Sequence, residues 1–215
     1  MMRLIVGNKN YSSWSLRAWL ALRHFALPFE EERVALFEPG YKARILAYSP
    51  AGKVPVLIDG GVAVWESLAI GEYLAEKFPA LGYWPADAAA RALARSVSAE
   101  MHAGFGDLRD RMPMNIRGSH PGKGRSPEVD ANIRRICAIW QDCLARSGGP
   151  FLFGNFGFAD AMYAPVVSRF LTYAVDLDAS LRGYVERVWG LPAMLEWRAA
   201  AVAETEVLEE DEPYR

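Results

Sequence analysis

Three short clusters in the first third of the chain combine residue types suited to a small zwitterionic or anionic ligand. Tyr11-Ser12-Ser13-Trp14-Ser15 stands between a strand-like run and an amphipathic helix. A helix N-terminus offers unpaired N–H groups and partial positive charge. A hydroxyl placed there donates a hydrogen bond to a thiolate or another anion. One serine suffices to cap a helix, and three gather here, so capping and donation both stand as roles. Lys53-Val54-Pro55 forms the second cluster. X–Pro bonds adopt the cis form far more readily than other peptide bonds. A cis bond turns the Val54 N–H and C=O outward toward a peptide-like ligand, whereas a trans proline simply begins a strand. Glu66-Ser67 opens a later helix. Ser67 and its neighbouring N–H groups suit a carboxylate, and Glu66 suits an ammonium. Together they fit an amino-acid zwitterion, with a plain helix cap as the alternative.

Those clusters need a scaffold. Arg3–Gly7 reads as a short buried strand, and Leu16, Trp19, Leu20, Leu22 and Phe25 recur at helical spacing before Pro28. Phe29–Leu36 reads as a charged edge strand, and a short helix is expected near Tyr41–Ala47. Val54–Ile58 and Val62–Trp65 flank Asp59-Gly60-Gly61, a hairpin signal. Glu66–Phe78 reads as a helix. The order βαβ, short helix, ββα implies a small mixed sheet covered by helices.

From Pro85 onward strand signals fade. Leu93, Val97, Met101, Phe105, Leu108 and Met112 form one stripe along an expected single helix, Ala86–Met112. Pro113–Pro127 is a loop rich in Gly and Pro, with basic Arg117, Lys123 and Arg125, and reads as solvated. Further helices are expected at Glu128–Ser147, Ala159–Tyr173, Ala179–Val188 and Pro192–Ala203. The acidic end, Glu204–Arg215, reads as frayed or solvated. The expected domains are 1–80 and 86–215, with a linker near Pro79–Pro85.

Composition removes several function classes. Apolar residues are 52% of 215 and charged ones 23%, enough for a sizeable core and unlike a disordered chain. With 24 basic and 26 acidic residues the net charge is −2, which offers no general attraction to nucleic acid or to an anionic membrane. No apolar run reaches transmembrane length, and the first residues are too short for a signal-peptide core. Two cysteines, Cys137 and Cys143, cannot staple the chain, and six residues apart they do not face each other on a helix. No neighbouring ligands complete a metal set. Buried thiols in a reducing cytoplasm are the expectation.

The ordered set of clusters resembles the glutathione transferase family over nearly the whole chain. Ser12-Ser13-Trp14-Ser15 at a helix start, Val54-Pro55 before a hairpin, and Glu66-Ser67-Leu68-Ala69-Ile70 opening a helix follow that family's order. Phe156-Gly157-Phe158-Ala159-Asp160 is similar to its buried capping motif. The resemblance implies an α/β thioredoxin-like N-terminal domain and an all-α C-terminal domain, with glutathione as co-substrate. It implies that Ser12, with Ser13 as runner-up, faces the glutathione sulfur and holds it as a thiolate. A thiol of pKa about 8.5 is only about 3% ionised at pH 7, and lowering it to about 6.5 gives roughly 75%. The resemblance also makes Val54–Pro55 cis, sets Val54 against the cysteinyl backbone, places Glu66 and Ser67 at the γ-glutamyl end, and lets Lys53 reach the glycine carboxylate.

The motif pattern looks like that of the zeta class, whose members carry Ser-Ser-Cys-Ser and often isomerise maleylacetoacetate. Here Trp14 replaces the cysteine, and a zeta arginine aligns near Thr172, with Arg169 one turn away. Gly157 also stands where the family usually has Ser or Thr. The electrophile is expected between the domains, against Trp14, Met101, His102, Phe105 and Arg109. Met and Phe at that spacing equally suit a core. The expected protein is therefore a cytoplasmic, homodimeric transferase. It conjugates glutathione to small hydrophobic electrophiles, with peroxidase side activity. The alternatives are a glutathione-dependent cis–trans isomerase and a non-catalytic glutathione-binding protein.

Overall fold

A computed structural model describes all 215 residues, Met1–Arg215. Met2–Val6, exposed only at Arg3, form the central strand β1. β2 (Phe29–Arg33) lies parallel to it on one side, and β3 (Val56–Asp59) antiparallel on the other. β4 (Val62–Trp65) extends β3 across the Asp59–Val62 turn, giving the order β2-β1-β3-β4. The charges of β2 sit on an edge, where they discourage further strand pairing. β2 ends at Arg33, earlier than its β-rich sequence predicts. The Leu36 N–H turns away to the Asn8 side-chain oxygen at 2.7 Å, so the chain leaves the ladder there.

Helices α1 (Ser13–His24), α2 (Tyr41–Leu46) and α3 (Ser67–Lys77) complete the thioredoxin-like unit. A 3-10 turn, Pro79–Leu81, leads into a succession of helices. These are α4 (Ala88–Ala103), α5 (Gly106–Arg111), α6 (Pro127–Ser147), α7 (Phe158–Thr172), α8 (Ala179–Trp189) and α9 (Pro192–Ala203). No helix is long and apolar enough to cross a membrane.

Both halves share one core. The largest cluster of buried apolar side chains includes Leu4, Trp19 and Leu57 from the first and Trp140, Phe158 and Trp197 from the second. Polar bonds lock the seam: the Tyr83 hydroxyl donates to the Ala21 carbonyl at 2.8 Å, and the Trp197 indole to the Lys9 carbonyl at 2.9 Å. Gly71 on α3 is needed for this approach, because a Cβ there would lie 2.2 Å from the Phe158 ring.

The Ala86–Met112 segment is two helices and not one. Gly104 leaves the helical conformation and Phe105 has a left-handed φ of 59°. The apolar stripe runs on through the break, so periodicity alone does not register it. The bend lets Arg109 reach back and donate to the Met101 and His102 carbonyls at the end of α4.

The basic loop and the acidic tail are both tied down, contrary to the solvated ends that their composition predicts. The Ile116 N–H donates to the Asn10 carbonyl, the Arg117 N–H to the Asn10 side chain, and the His120 N–H to the Thr172 carbonyl. In the tail, the Glu204 carboxylate accepts the Lys9 and Asn10 N–H groups at 2.7 and 3.0 Å. Leu208 is buried, and the Tyr214 hydroxyl donates to the Arg111 carbonyl. Acidic residues stay in solvent only when no unpaired donors face them, and here the loop before α1 presents two.

The capping motif before α7 works without a side-chain hydroxyl. Asp160 accepts from the Gly157 N–H at 2.9 Å, from the Leu152 N–H at 3.1 Å and from the Tyr184 hydroxyl at 3.0 Å. A Cβ at Gly157 would stand 3.0 Å from the Tyr83 carbonyl oxygen, which accounts for glycine in place of Ser or Thr. Cys143 is buried and Cys137 half-buried, both as free thiols, and burial pushes each up to about 11.

Candidate functional site

The chain leaves β1 through Gly7 and enters α1 over a loop held from several sides. Lys9 is buried between the Trp19 and Trp197 rings, its ammonium 5.0 and 5.1 Å from their centres and 2.8 Å from Glu31. The Asn10 amide donates to the Asn115 side chain, and the Ser12 N–H to the Asn8 carbonyl. Ser12 is then fixed as the N-cap of α1, accepting the Ser15 N–H at 3.3 Å. Its hydroxyl is 2.7 Å from that of Ser15, which accepts the Gly7 N–H at 3.0 Å. The Ser13 hydroxyl makes no hydrogen bond within the protein.

Ser12, Ser13 and Trp14 line a cavity of about 470 Å³. Val54, Lys53, Arg109, Arg169, Met114 and Asp211 complete much of its wall. A second cleft of about 350 Å³ adjoins it, lined by Trp14, Lys53, Val54, Pro55, Glu66, Ser67 and His102. Trp14, Lys53 and Val54 border both. The Val54–Pro55 bond is cis. Val54 pairs neither its N–H nor its C=O with another backbone group, so both remain available at the junction.

At the far end of the cleft α3 begins. Glu66 adopts a positive φ of 68°, unusual for a residue with a side chain and a mark of a constrained site. This sends its exposed carboxylate outward while Ser67 turns in. The Ser67 hydroxyl is buried and has no partner. A buried hydroxyl beside a helix N-terminus is a donor suited to an anionic acceptor. The His102 Nε2 lies 3.5 Å from the Glu66 carboxylate. Burial lowers the His102 pKa, opposed by Glu66 and reinforced by Arg17 and Arg109, so the ring is neutral at pH 7.

Trp14 is the partition between the two spaces. Arg17 lies over its ring with the guanidinium 4.3 Å from the ring centre, Arg109 at 5.5 Å, and His102 meets its edge at 5.2 Å. Such cation–π contacts hold an aromatic ring in place.

Of the residues singled out from sequence, Ser12, Ser13, Trp14, Lys53, Val54 and Arg109 border the main cavity. Pro55, Glu66, Ser67 and His102 border the adjoining cleft. Met101 and Phe105 are buried in the core and border neither. Arg169 does face the main cavity, whereas the Thr172 hydroxyl is used by the Asn115 carbonyl. Phe37, Tyr41, Met114 and Asp211 also line the cavity and carried no motif that marked them in advance.

The arrangement offers a partnerless hydroxyl at Ser67, a carboxylate at Glu66, free backbone groups at Val54 and a helix-capping hydroxyl at Ser12. These lie in sequence along one groove, opening into a cavity with mixed apolar and cationic walls.

A family model described as the glutathione S-transferase N-terminal domain matches residues 11–77, and one described as the glutathione S-transferase C-terminal domain matches residues 86–201. A maleylacetoacetate isomerase of Pseudomonas aeruginosa is 32% identical over 199 residues, 89% of this chain and 91% of that protein. A probable maleylacetoacetate isomerase of Caenorhabditis elegans is 36% identical over 96 residues, 45% of this chain, and the match spans only 44% of that relative. Among solved structures, a glutathione transferase homolog from Burkholderia with bound glutathione superposes with a TM-score of 0.72 at 25% identity, covering 94% of this chain and 99% of that one.

Proposed function

Because the chain belongs to the glutathione S-transferase family, we propose that it binds glutathione along the groove from Ser67 to Ser12 and adds its thiolate to small hydrophobic electrophiles. The observation that supports this most is the continuity of the two cavities through Trp14, Lys53 and Val54, with a partnerless buried hydroxyl at one end and a helix-capping hydroxyl at the other. In this reading Ser67 and the N–H groups of α3 hold the γ-glutamyl carboxylate. Glu66 takes the ammonium, Val54 pairs with the cysteinyl backbone and Lys53 meets the glycine carboxylate. Residues 1–80 form the glutathione-binding domain, and 86–215 supply the rest of the electrophile wall.

Ser12 acts as a donor and not as a nucleophile. The Ser12–Ser15 contact joins two hydroxyls with one proton each, so it runs in either direction. With Ser15 donating to Ser12, the Ser12 proton is free for the sulfur, while Ser12 accepts from both the Ser15 N–H and the Ser15 hydroxyl. Accepting two bonds strengthens it as a donor. The partial positive charge of the α1 N-terminus adds to the same effect. Lowering the thiol pKa by about two units takes under about 3 kcal/mol, within reach of a charge-assisted hydrogen bond and a helix end. The thiolate then forms the new S–C bond as a leaving group departs, or as a carbanion takes up a proton. Reduction of peroxides by the same thiolate is a side activity.

A second reading is favoured by one observation. Arg169 lies in the cavity wall, and the relatives at 32 and 36% identity are named as isomerases. A thiolate that adds to a double bond and leaves again after rotation would isomerise an unsaturated diketo acid. Turnover of maleylacetone without net loss of glutathione separates this from conjugation.

We further take the protein to be a cytoplasmic homodimer with no nucleic-acid or membrane partner. The exposed Val62 on the edge strand β4 supports an apolar contact with a second copy. The testing experiment is a pH titration of thiolate ultraviolet absorbance for glutathione mixed with the protein. A pKa well below that of free glutathione, restored by Ser12→Ala, supports the reading. Binding with an unshifted pKa points to a non-catalytic glutathione-binding protein, and absence of binding overturns the site.

A further inference from the structure

The main cavity holds more buried positive charge than thiol activation requires. Arg169 on α7 is only 3% exposed. Its Nε donates to the Met112 carbonyl at 2.8 Å, and its Nη1 is buried without a partner. Arg109 on α5 lines the same wall and bonds only to carbonyls. Arg17, behind Trp14, is fully buried. Its Nε donates to the Met162 carbonyl while both Nη atoms lack partners. None of the three forms a salt bridge. Burial first, and then their mutual repulsion, lowers Arg17 well below the ordinary arginine value and Arg169 to about 10.

One carboxylate is brought to this cavity from the far end of the chain. Asp211 closes the 3-10 turn Glu209–Asp211 and is half-buried in the cavity wall. Its surroundings are fixed. The Tyr11 hydroxyl bonds Glu212, Arg117 donates to the Tyr11 hydroxyl and the Glu206 carbonyl, and Tyr214 is tied to Arg111. The Asp211 N–H donates to the Leu208 carbonyl at 3.0 Å, whereas its carboxylate makes no hydrogen bond and caps no helix. Burial pushes it up to about 6, against the pull of Arg169.

We propose that Asp211 is the internal counter-ion of Arg169 and thereby sets the charge of the electrophile that the cavity accepts. The proposal rests on the reading above only in placing the electrophile in this cavity. Ionised Asp211 occupies the field of Arg169 that a ligand carboxylate would otherwise use. A neutral ligand is unaffected, and an anionic one meets a like charge. At separations of several ångströms and an effective dielectric near 20, such repulsion amounts to about tenfold or more in affinity. The other charged or titratable groups around Asp211 are Arg169 on α7, Tyr173 at the end of α7, Arg109 and Asp110 on α5, Lys42 on α2, Lys53 before β3, Tyr11, and Glu210 and Glu212 on the tail.

The test uses a matched pair of probes, 4-chloro-3-nitrobenzoate and 4-chloro-3-nitrobenzamide, which differ in charge and share the ring. Their affinities are measured by calorimetry with unreactive S-methylglutathione present, for the wild type and for Asp211→Asn at pH 7.5. The expected result is benzoate binding tightened about tenfold in the variant, with benzamide changed by less than twofold. Equal changes for both probes, no change, or no benzoate binding to either protein overturns the proposal. Because the Asp211 carboxylate makes no hydrogen bond and the backbone is untouched, the variant retains every hydrogen bond of the fold. If it fails to fold, the wild type alone decides. Its benzoate-to-benzamide affinity ratio should rise several-fold as pH falls from 7.5 to 5, and a flat ratio overturns the proposal. Failure of the transferase reading shows instead in the thiolate titration, which neither probe enters.

Discussion

The hydroxyl oxygens of Ser12 and Ser15 lie 2.7 Å apart, and the Gly7 N–H donates to the second of them at 3.0 Å. A backbone group at the end of the central strand is thereby linked through two hydroxyls to the wall of the cavity. If Ser12 donates to the glutathione sulfur, Ser15 is a positioning residue acting through it. Ser12→Ala should raise the bound thiol pKa by about one to two units, since a hydrogen bond to a charged group is worth about 1.5–3 kcal/mol. At pH 7 the thiolate fraction, and with it turnover, should fall roughly threefold to 25-fold. Ser15→Ala should move the thiol pKa in the same direction by a smaller amount, and Ser13→Ala by the least. Thiolate absorbance against pH for the three variants checks the order. A larger effect at Ser13 would transfer the donor role to its free hydroxyl.

If the groove holds glutathione as proposed, the partnerless Ser67 hydroxyl should govern affinity and not chemistry. It sits at the far end of the groove from Ser12, beside the Glu66 carboxylate. Ser67→Ala should weaken glutathione binding about tenfold while leaving the pKa of the bound thiol unchanged. Glu66→Gln should weaken it through the ammonium and should spare analogues that lack the amino group. Calorimetric affinities for glutathione and for its deaminated analogue distinguish the two ends. A shift of thiol pKa in Ser67→Ala would refute the separation of roles.

What sequence could and could not reveal follows from range. The Ser12 cap, the Val54-Pro55 junction and the Glu66-Ser67 helix start are local, each carried by two to four consecutive residues. The charged β2 was equally legible, because an edge strand shows its position in its own composition. The break at Gly104 was hidden because Phe105, Leu108 and Met112 continue the apolar stripe of α4 beyond it. Docking of the tail was hidden for a different reason. Glu204 finds its donors 195 and 194 residues away, and nothing in an acidic run announces which distant N–H groups are free. Arg169 was in view only as a near-miss for position 172, and its burial against Met112 could come only from the packing of α7 on the 112–115 segment.

The Glu204 carboxylate is a clasp between the tail and the loop that carries Ser12. Its two oxygens take the Lys9 and Asn10 N–H groups, and Arg33 lies 3.4 Å away. Glu204→Ala leaves two partly buried donors without acceptors, at about 1–3 kcal/mol each. For a chain of this size 1 kcal/mol moves Tm by roughly 2–4 °C. The expected loss is therefore about 4 to 24 °C by thermal unfolding. Glu204→Gln keeps one acceptor and should lose about half as much. An Ala variant as stable as the wild type would mean that the loop is held without the tail.

Asp160 gives a pH dependence whose sign is fixed by its burial. Desolvation pushes its carboxyl up to about 6 from the ordinary aspartate value of 3.8, against the hydrogen bonds from Gly157, Leu152 and Tyr184. The folded protein therefore binds a proton more tightly than the unfolded chain between these values. Stability from this group is fully present below about pH 4 and is lost as pH rises through 6. The difference amounts to about 3 kcal/mol. Asp160→Asn cannot titrate, so the stability of the wild type relative to this variant should fall by about that much between pH 4 and pH 7. Denaturant unfolding of both proteins at several pH values isolates the effect, because every other titrating group is common to the pair. An advantage for the wild type that grows with pH would mean that the three donors outweigh burial and hold Asp160 ionised throughout.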